Sequence, residues 1–306
     1  TALLKSLWKQ DVDPYVRAAL IDARAGSVVA DTLIAWLQRP WPAVERQAAL
    51  ADAVKQVRAT MTRARYSSHK AQYAQLVRVL HAAFDTGDAG LIAAAADELL
   101  KEDADVTTMV LDSATEGKAR AALHPIRDLE SLQALDQVVA KREGLPAPTH
   151  HDRAFNHPID RVRLATLKEG RQYRITTTKG DIVIAIEPDA APGTCVAFDS
   201  LVTSGFYDGK YFHRVVPDFV AQGGCPRGDG YGAMDWTMRT EVGYDGFDTG
   251  AVGIASAGRD TESCQFFFML APAPHLDGRY TRFAHVVSGM GVAQRLVIGD
   301  RIERVE

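Results

Sequence analysis

Apolar residues in the first 143 positions recur at helical spacing. In 27–37, Val28, Ala30, Leu33, Ile34 and Leu37 fall on one broad face of a 3.6-residue helix. Arg39-Pro40-Trp41-Pro42 breaks that helix, and Pro42 suits the first turn of the next, 43–54. Further helices are predicted over 73–84 and 91–100, joined by a turn with Gly87 and Gly90, and near 105–113 and 129–142. Beyond residue 158 the pattern changes to alternation with frequent glycine. Residues 171–178 and 181–187 read as strands joined at Lys179-Gly180, with Ile182, Ile184 and Ile186 on one face. A helix is expected over 195–204, and further strands over 211–216, 253–257, 265–270 and 282–287. Many short strands with Gly-rich turns point to a closed or nearly closed barrel.

The organisation that follows is an all-α domain over 1–143, a linker over 144–158 and an all-β domain over 159–306. The linker carries Gly144, Pro146 and Pro148 without periodicity. His150, His151 and His157 cluster there without Cys or carboxylate partners at a zinc spacing, so they are read as solvated linker residues and no metal site is expected.

At 306 residues two domains can each form a core, and a net charge of −4 argues against a nucleic-acid partner. No apolar run is long enough to span a bilayer. Cys195, Cys225 and Cys264 are an odd set without CxxC spacing, and are read as small core hydrophobes. The compartment is left open: free cysteines favour the cytoplasm, and a chain beginning without Met is compatible with removal of a signal for export to the bacterial periplasm or cell envelope.

Asp13-Pro14-Tyr-Val-Arg-Ala-Ala-Leu20 and Trp41-Pro42-Ala-Val-Glu-Arg-Gln-Ala-Ala-Leu50 share a layout of Pro, Val, Arg and Ala-Ala-Leu, with the prolines 28 positions apart (42 minus 14). This resembles HEAT-like helical repeats. An irregular helical bundle is the alternative, and either buries a shared core between amphipathic helices.

Common catalytic motifs fail. Gly205–Lys210 is too short for a phosphate loop, Ile254–Gly258 lacks the first Gly of a nucleophile elbow, and no HExxH occurs. The anomaly is Arg214, a fixed charge in the apolar run Tyr211-Phe-His-Arg-Val-Val-Pro-Asp-Phe-Val220. It either pairs with a core carboxylate or lines a cleft and donates to a ligand.

Phe212-His-Arg-Val-Val-Pro-Asp-Phe-Val-Ala-Gln-Gly-Gly224, with Cys264-Gln-Phe-Phe267 and His275-Leu-Asp-Gly-Arg-Tyr-Thr-Arg-Phe283, is similar to the cyclophilin signature. Lys179-Gly180, Ala191–Thr194 and Gly205–Gly209 match in order. The resemblance covers about 170–306. It implies an eight-stranded antiparallel barrel capped by two helices and peptidyl-prolyl cis–trans isomerase (rotamase) activity of a bacterial type that assists protein folding, with no metal or cofactor. By this resemblance Arg214 and Gln222 are the catalytic pair. Phe219, Val220, Phe267 and Leu276 line the proline pocket, Ala255, Ser256 and Gln265 form the rim, and His213, His275 and Tyr280 complete the substrate site. Val220 replaces a longer Met, Ser256 an Asn, Tyr280 a His, and His275 the Trp of cyclosporin-sensitive members. The last change implies weak cyclosporin binding. The expected partners are proline-containing peptides or proteins, and a protein partner for the helical repeats. The reading from another class is a proline-peptide-binding scaffold or chaperone module with little isomerase activity.

Overall fold

The computed structural model describes residues 12–23, 30–60, 70–148 and 155–306. The chain divides into two compact units, residues 1–149 and 150–306. Among the described residues no helix is long and apolar enough to cross a membrane.

The first unit is helical: α1 (Pro14–Ala23), α2 (Ala30–Leu37), α3 (Ala43–Thr60), α4 (Lys70–Asp85), α5 (Ala89–Leu99), α6 (Ala104–Val110), α7 (Ser113–Ala122) and α8 (Leu129–Arg142). Short carboxylates begin several of them. Asp13 accepts from Tyr15 N at 2.8 Å, Asp88 from Leu91 N at 3.1 Å and Asp112 from Thr115 N at 2.8 Å. Each such cap stabilises a helix by about 1 kcal/mol. α1 and α2 pack on α3, α3 on α4, and α5 on α8. Leu33, Leu37, Leu50, Leu76, Leu80, Leu91, Ile92, Leu99 and Leu135 are buried between them. Arg46 donates to the carbonyl of Trp41 and to the carboxylate of Asp88, tying the start of α3 to the start of α5. The helix expected near 105–113 is α6, and a further helix that was not expected, α7, follows it. Asp112 caps α7, whose sequence buries only Thr115 and Ala119 and so shows little apolar stripe.

The second unit is built on β1 (Gln172–Thr177), β2 (Gly180–Ile186), β3 (Phe212–Val216), β4 (Val220–Gly223), β5 (Ala251–Ile254), β6 (Phe266–Met269), β7 (Arg282–Ser288) and β8 (Ile302–Val305). They form one antiparallel eight-stranded sheet in the order β3-β4-β6-β5-β7-β2-β1-β8. Its two end strands meet where Tyr211 bridges Arg301, with Phe212 N donating to Asp300 O at 2.8 Å and Ile302 N to Lys210 O at 2.7 Å, so the barrel is nearly closed. Ile182, Ile184, Ile186, Phe212, Phe266 and Phe283 fill its interior. α9 (Arg161–Leu164) precedes β1. α10 (Pro192–Thr203) caps the core with Cys195, Val196, Phe198 and Leu201, and α11 (Met290–Ala293) is a single turn that buries Ala293. The β1–β2 turn falls at Thr178-Lys179, one residue earlier than expected, because Gly180 opens β2 at φ +122. β4 and β8, short and weakly apolar, were not expected as strands of their own.

Residues 155–158, expected as linker, belong to the second unit. His157 is half-buried and stacks on Trp236 with centroids 4.1 Å apart, so it is no solvated linker residue. His150 and His151 lie outside the described residues.

Candidate active site

Four strands align one row of residues across the barrel wall: Arg214 on β3 opposite Gln222 on β4, Gln222 opposite Phe267 on β6, and Phe267 opposite Gly253 on β5. Side chains in one row share a face. Alternation alone would turn Arg214 inward with Phe212, its neighbour two positions back. A register shift between Phe212 and Arg214 breaks the alternation, so Phe212 is fully buried while Arg214 is exposed. The fixed charge stays wet, and no carboxylate pairs with Arg214 among the described residues. Its guanidinium instead lies 5.7 Å from the Phe219 ring centroid, within cation–π range.

Beside this cation is an apolar cluster separate from the barrel core. Val220, Phe247, Ala251, Phe267, Met269, Ala273 and Leu276 are buried in it, with Phe219, Ala255 and Tyr280 packed around. Phe247 stacks on Phe267 at 5.8 Å, Tyr280 meets Phe267 edge-on at 6.4 Å, and His275 stacks on Phe219 at 5.7 Å. Gly253 makes room for these rings. A Cβ there would sit 2.3 Å from Phe267 Cζ and 2.8 Å from Phe247 Cε1, so any other residue would push both away.

A chain of amides borders the cation. Gln265 Nε2 donates to the carbonyls of Gly230 and Gly232, each at 2.8 Å. Two carbonyl acceptors fix which end of that amide is nitrogen. Gln265 Oε1 must then accept, and it does so from Gln222 Nε2 at 2.9 Å. Gln222 Oε1 is left as the acceptor on the row shared with Arg214. The backbone of Gln265 also holds the rim, since its carbonyl accepts from Ala255 N at 2.8 Å, with half-buried Ser256 next in line.

His213 has both ring nitrogens shielded from solvent, packed where a Cβ on Gly230 would come within 3.1 Å of the ring. Burial lowers its pKa to about 4, only partly offset by Asp229, so the ring is neutral at physiological pH. The thiols of Cys225 and Cys264 are buried and raised by that burial, Cys264 to about 12. Neither is a thiolate at neutral pH. Among the described residues no cluster of three His, Cys, Asp or Glu side chains could hold a metal ion.

Of the residues singled out from sequence, Phe219, Val220, Ala255, Phe267, Leu276 and Tyr280 share the apolar cluster. Arg214, Gln222 and Gln265 lie along its border, His275 closes one end as an exposed ring, and His213 sits behind Gln265's acceptor loop. Phe247, Ala251, Met269 and Ala273 of the cluster were missed. A glycine inside a strand, Gly253, was the available signal for the close ring packing. The carbonyls of Gly230 and Gly232 carry no side-chain signal at all.

The family model described as Cyclophilin type peptidyl-prolyl cis-trans isomerase/CLD matches residues 172–305. Peptidyl-prolyl cis-trans isomerase B of Bacillus subtilis is 44% identical over 135 residues, covering 44% of this chain and 94% of that protein. A peptidyl-prolyl cis-trans isomerase of Helicobacter pylori is 41% identical over 135 residues, covering 43% and 83%. A crystal structure of a Cryptosporidium parvum cyclophilin type peptidyl-prolyl cis-trans isomerase, in the presence of dipeptide ala-pro, matches 44% of this chain and 97% of that chain with 25% identity and a TM-score of 0.42. With a nearly closed eight-stranded barrel and a relative aligned along almost its whole length, this chain belongs to the cyclophilin-type peptidyl-prolyl cis–trans isomerase family.

Proposed function

We propose that the isomerase chemistry is carried by Arg214 and Gln222, acting on a proline held by Phe219, Val220, Phe267, Leu276 and Tyr280. The observation that carries this reading is an exposed guanidinium without a carboxylate partner among the described residues, on the same row as the apolar cluster. The amide C–N bond resists rotation by ~18–20 kcal/mol because it is partly double. Twisting it breaks the conjugation and leaves the prolyl nitrogen pyramidal and basic. A guanidinium donating to that nitrogen stabilises the twisted state and gains nothing from the planar one, which is the condition for catalysis. Gln222 Oε1 orients the guanidinium, and Gln265 fixes Gln222. Burying the three ring methylenes of proline contributes roughly 2 kcal/mol to binding, at about 0.8 kcal/mol each. Lowering the barrier by ~7 kcal/mol corresponds to about a 10⁵-fold acceleration.

Ala255, Ser256 and Gln265 form the edge that takes the residues before proline, and His213 supports that edge from behind. His275, an imidazole on Phe219, offers less ring surface than an indole, in keeping with weak cyclosporin binding. The substrates are proline-containing segments of peptides or proteins. The helical unit, read as HEAT-like from the shared layout of 13–20 and 41–50, recruits a protein partner to the isomerase. The test is a protease-coupled assay on a Xaa-Pro peptide, comparing the wild-type chain with Arg214→Ala. Equal rates in the two proteins would reject the assignment.

A further inference from the structure

Residues 155–157 precede the segment matched by the family, 172–305, yet they hold a loop of the cleft. The amides of Asn156 and His157 both donate to Thr237 O, at 3.2 and 3.1 Å. Thr237 N returns a hydrogen bond to Asn156 Oδ1 at 2.8 Å, and Asn156 Nδ2 donates to Asp235 O at 3.4 Å. The His157 ring lies nearly flat on Trp236, 18° from parallel. Asn156 and His157 therefore clasp 235–237 through main chain, side-chain amide and ring together. Thr237 is buried while Asn156 is exposed, so the Asn156 side chain covers the Thr237 amide from the surface.

The inner side of the same loop faces the amide chain of the cleft. Ser263 Oγ accepts from Met234 N and donates to Trp236 O, both at 3.1 Å, and Met238 N donates to Glu262 O at 2.7 Å. Two residues beyond Ser263, Gln265 donates to Gly230 O and Gly232 O. The loop is irregular and carries Gly228 and Gly230 at positive φ, so its own backbone preferences do not fix those carbonyls. They are held directly by Gln265, and Asp229 Oδ1 accepts from Tyr231 N between them at 3.0 Å; the stretch that follows, 235–237, is held by 262–263 and by Asn156 and His157.

We propose that Asn156 and His157 are positioning residues for the isomerase cleft, a strap that keeps the Gly230 and Gly232 carbonyls where they orient Gln265, and through it Gln222. The proposal rests on the assignment of Arg214 and Gln222 above. Releasing the strap lets the loop drift and the Gln265 amide reorient. Gln222 then presents the wrong group to Arg214. The proline pocket stands on other residues (Val220, Phe267, Leu276), so binding of the ring is spared while the twisted state loses stabilisation.

The experiment uses the full chain and a Xaa-Pro peptide. Asn156→Ala is expected to lower kcat by about 3- to 10-fold with KM within about twofold, the signature of an interaction lost in the transition state. Asn156→Asp keeps the acceptor for Thr237 N and is expected to stay within about twofold of wild type in kcat. His157→Ala, which removes the stack alone, should move kcat in the same direction and serves in place of Asn156→Ala if that variant does not fold. In parallel, the side-chain amide resonances of Gln222 and Gln265 should shift in Asn156→Ala and return in Asn156→Asp. A lower melting temperature with unchanged kcat and unchanged amide resonances would overturn the proposal, leaving a purely structural strap. Arg214→Ala is measured alongside. If it retains full activity, the site assignment fails; if it is impaired while the strap variants are not, only the strap fails.

Discussion

Gln265→Glu probes the amide chain on which the cleft depends. The new side chain keeps its length and can still accept from Gln222, but both hydrogen bonds to the Gly230 and Gly232 carbonyls, each 2.8 Å, lose their donor. Two lost bonds cost about 2 kcal/mol. A carboxylate facing two carbonyl oxygens at a site only 8% exposed adds to that cost, and relieves it by taking up a proton. The total at pH 7.5 is about 3 kcal/mol, which lowers the melting temperature of the barrel unit by about 6–12 °C. The sign of the pH dependence follows from linkage. The folded pKa of the introduced carboxyl is raised above the unfolded value of about 4.3, so the deficit is full above the folded pKa and shrinks as pH falls through it. About 1 kcal/mol remains in acid, because one O–H serves one of two carbonyls. A carboxylate repelled by the Gly230 and Gly232 carbonyls moves away from them and carries its acceptor for Gln222 with it, which should cut kcat/KM about tenfold at pH 7.5, or roughly 1.4 kcal/mol of transition-state stabilisation. Thermal unfolding of wild type and variant between pH 5 and 7.5, with isomerase assays on the same samples, reads all three. A deficit that does not change over this range, or a kcat/KM within about twofold of wild type, would refute the reasoning.

Three further outcomes are expected. Because burial holds the His213 pKa down to about 4, its ring resonances should titrate near there, and its contribution to stability, up to about 3 kcal/mol, should be intact above the unfolded value of about 6.5 and lost as pH falls towards 4; a midpoint near 6.5 would contradict this. Gly253→Ala places a Cβ 2.3 Å from Phe267 Cζ, displacing the ring from the pocket and raising KM for a Xaa-Pro peptide by about tenfold; an unchanged KM would show that the rings repack and would reject the role given to Gly253. Calorimetry with cyclosporin should show weak or no binding to the wild-type chain, and tight binding would reject the role given to His275.

Much of this architecture is written in side-chain periodicity. Alternating Ile182, Ile184 and Ile186 face the barrel interior, where Phe212, Phe266 and Phe283 join them. Phe267, one residue beyond Phe266, faces the opposite way into the cleft, so the period of two separates core from site within one run of three phenylalanines. The exposure of Arg214 was not legible, because it depends on a register shift that no residue type announces. Nor were the acceptors of Gln265, which are main-chain carbonyls placed by a loop. α7 escaped because Ser113–Ala122 offers little apolar surface to a periodic reading. The segment 155–157 read as linker because its order comes from pairing with 235–237, some eighty positions away in sequence.

The claim at the centre is that Arg214 stabilises the twisted amide and contributes little to ground-state binding. NMR exchange spectroscopy on a Xaa-Pro peptide separates the two, reporting both the on-enzyme interconversion rate and the affinity. For Arg214→Ala in the full chain, interconversion should slow by about 10²–10³-fold, the usual loss on removing one preorganised donor, while affinity changes by less than about threefold. Interconversion as fast as wild type, or a loss confined to affinity, would contradict the account.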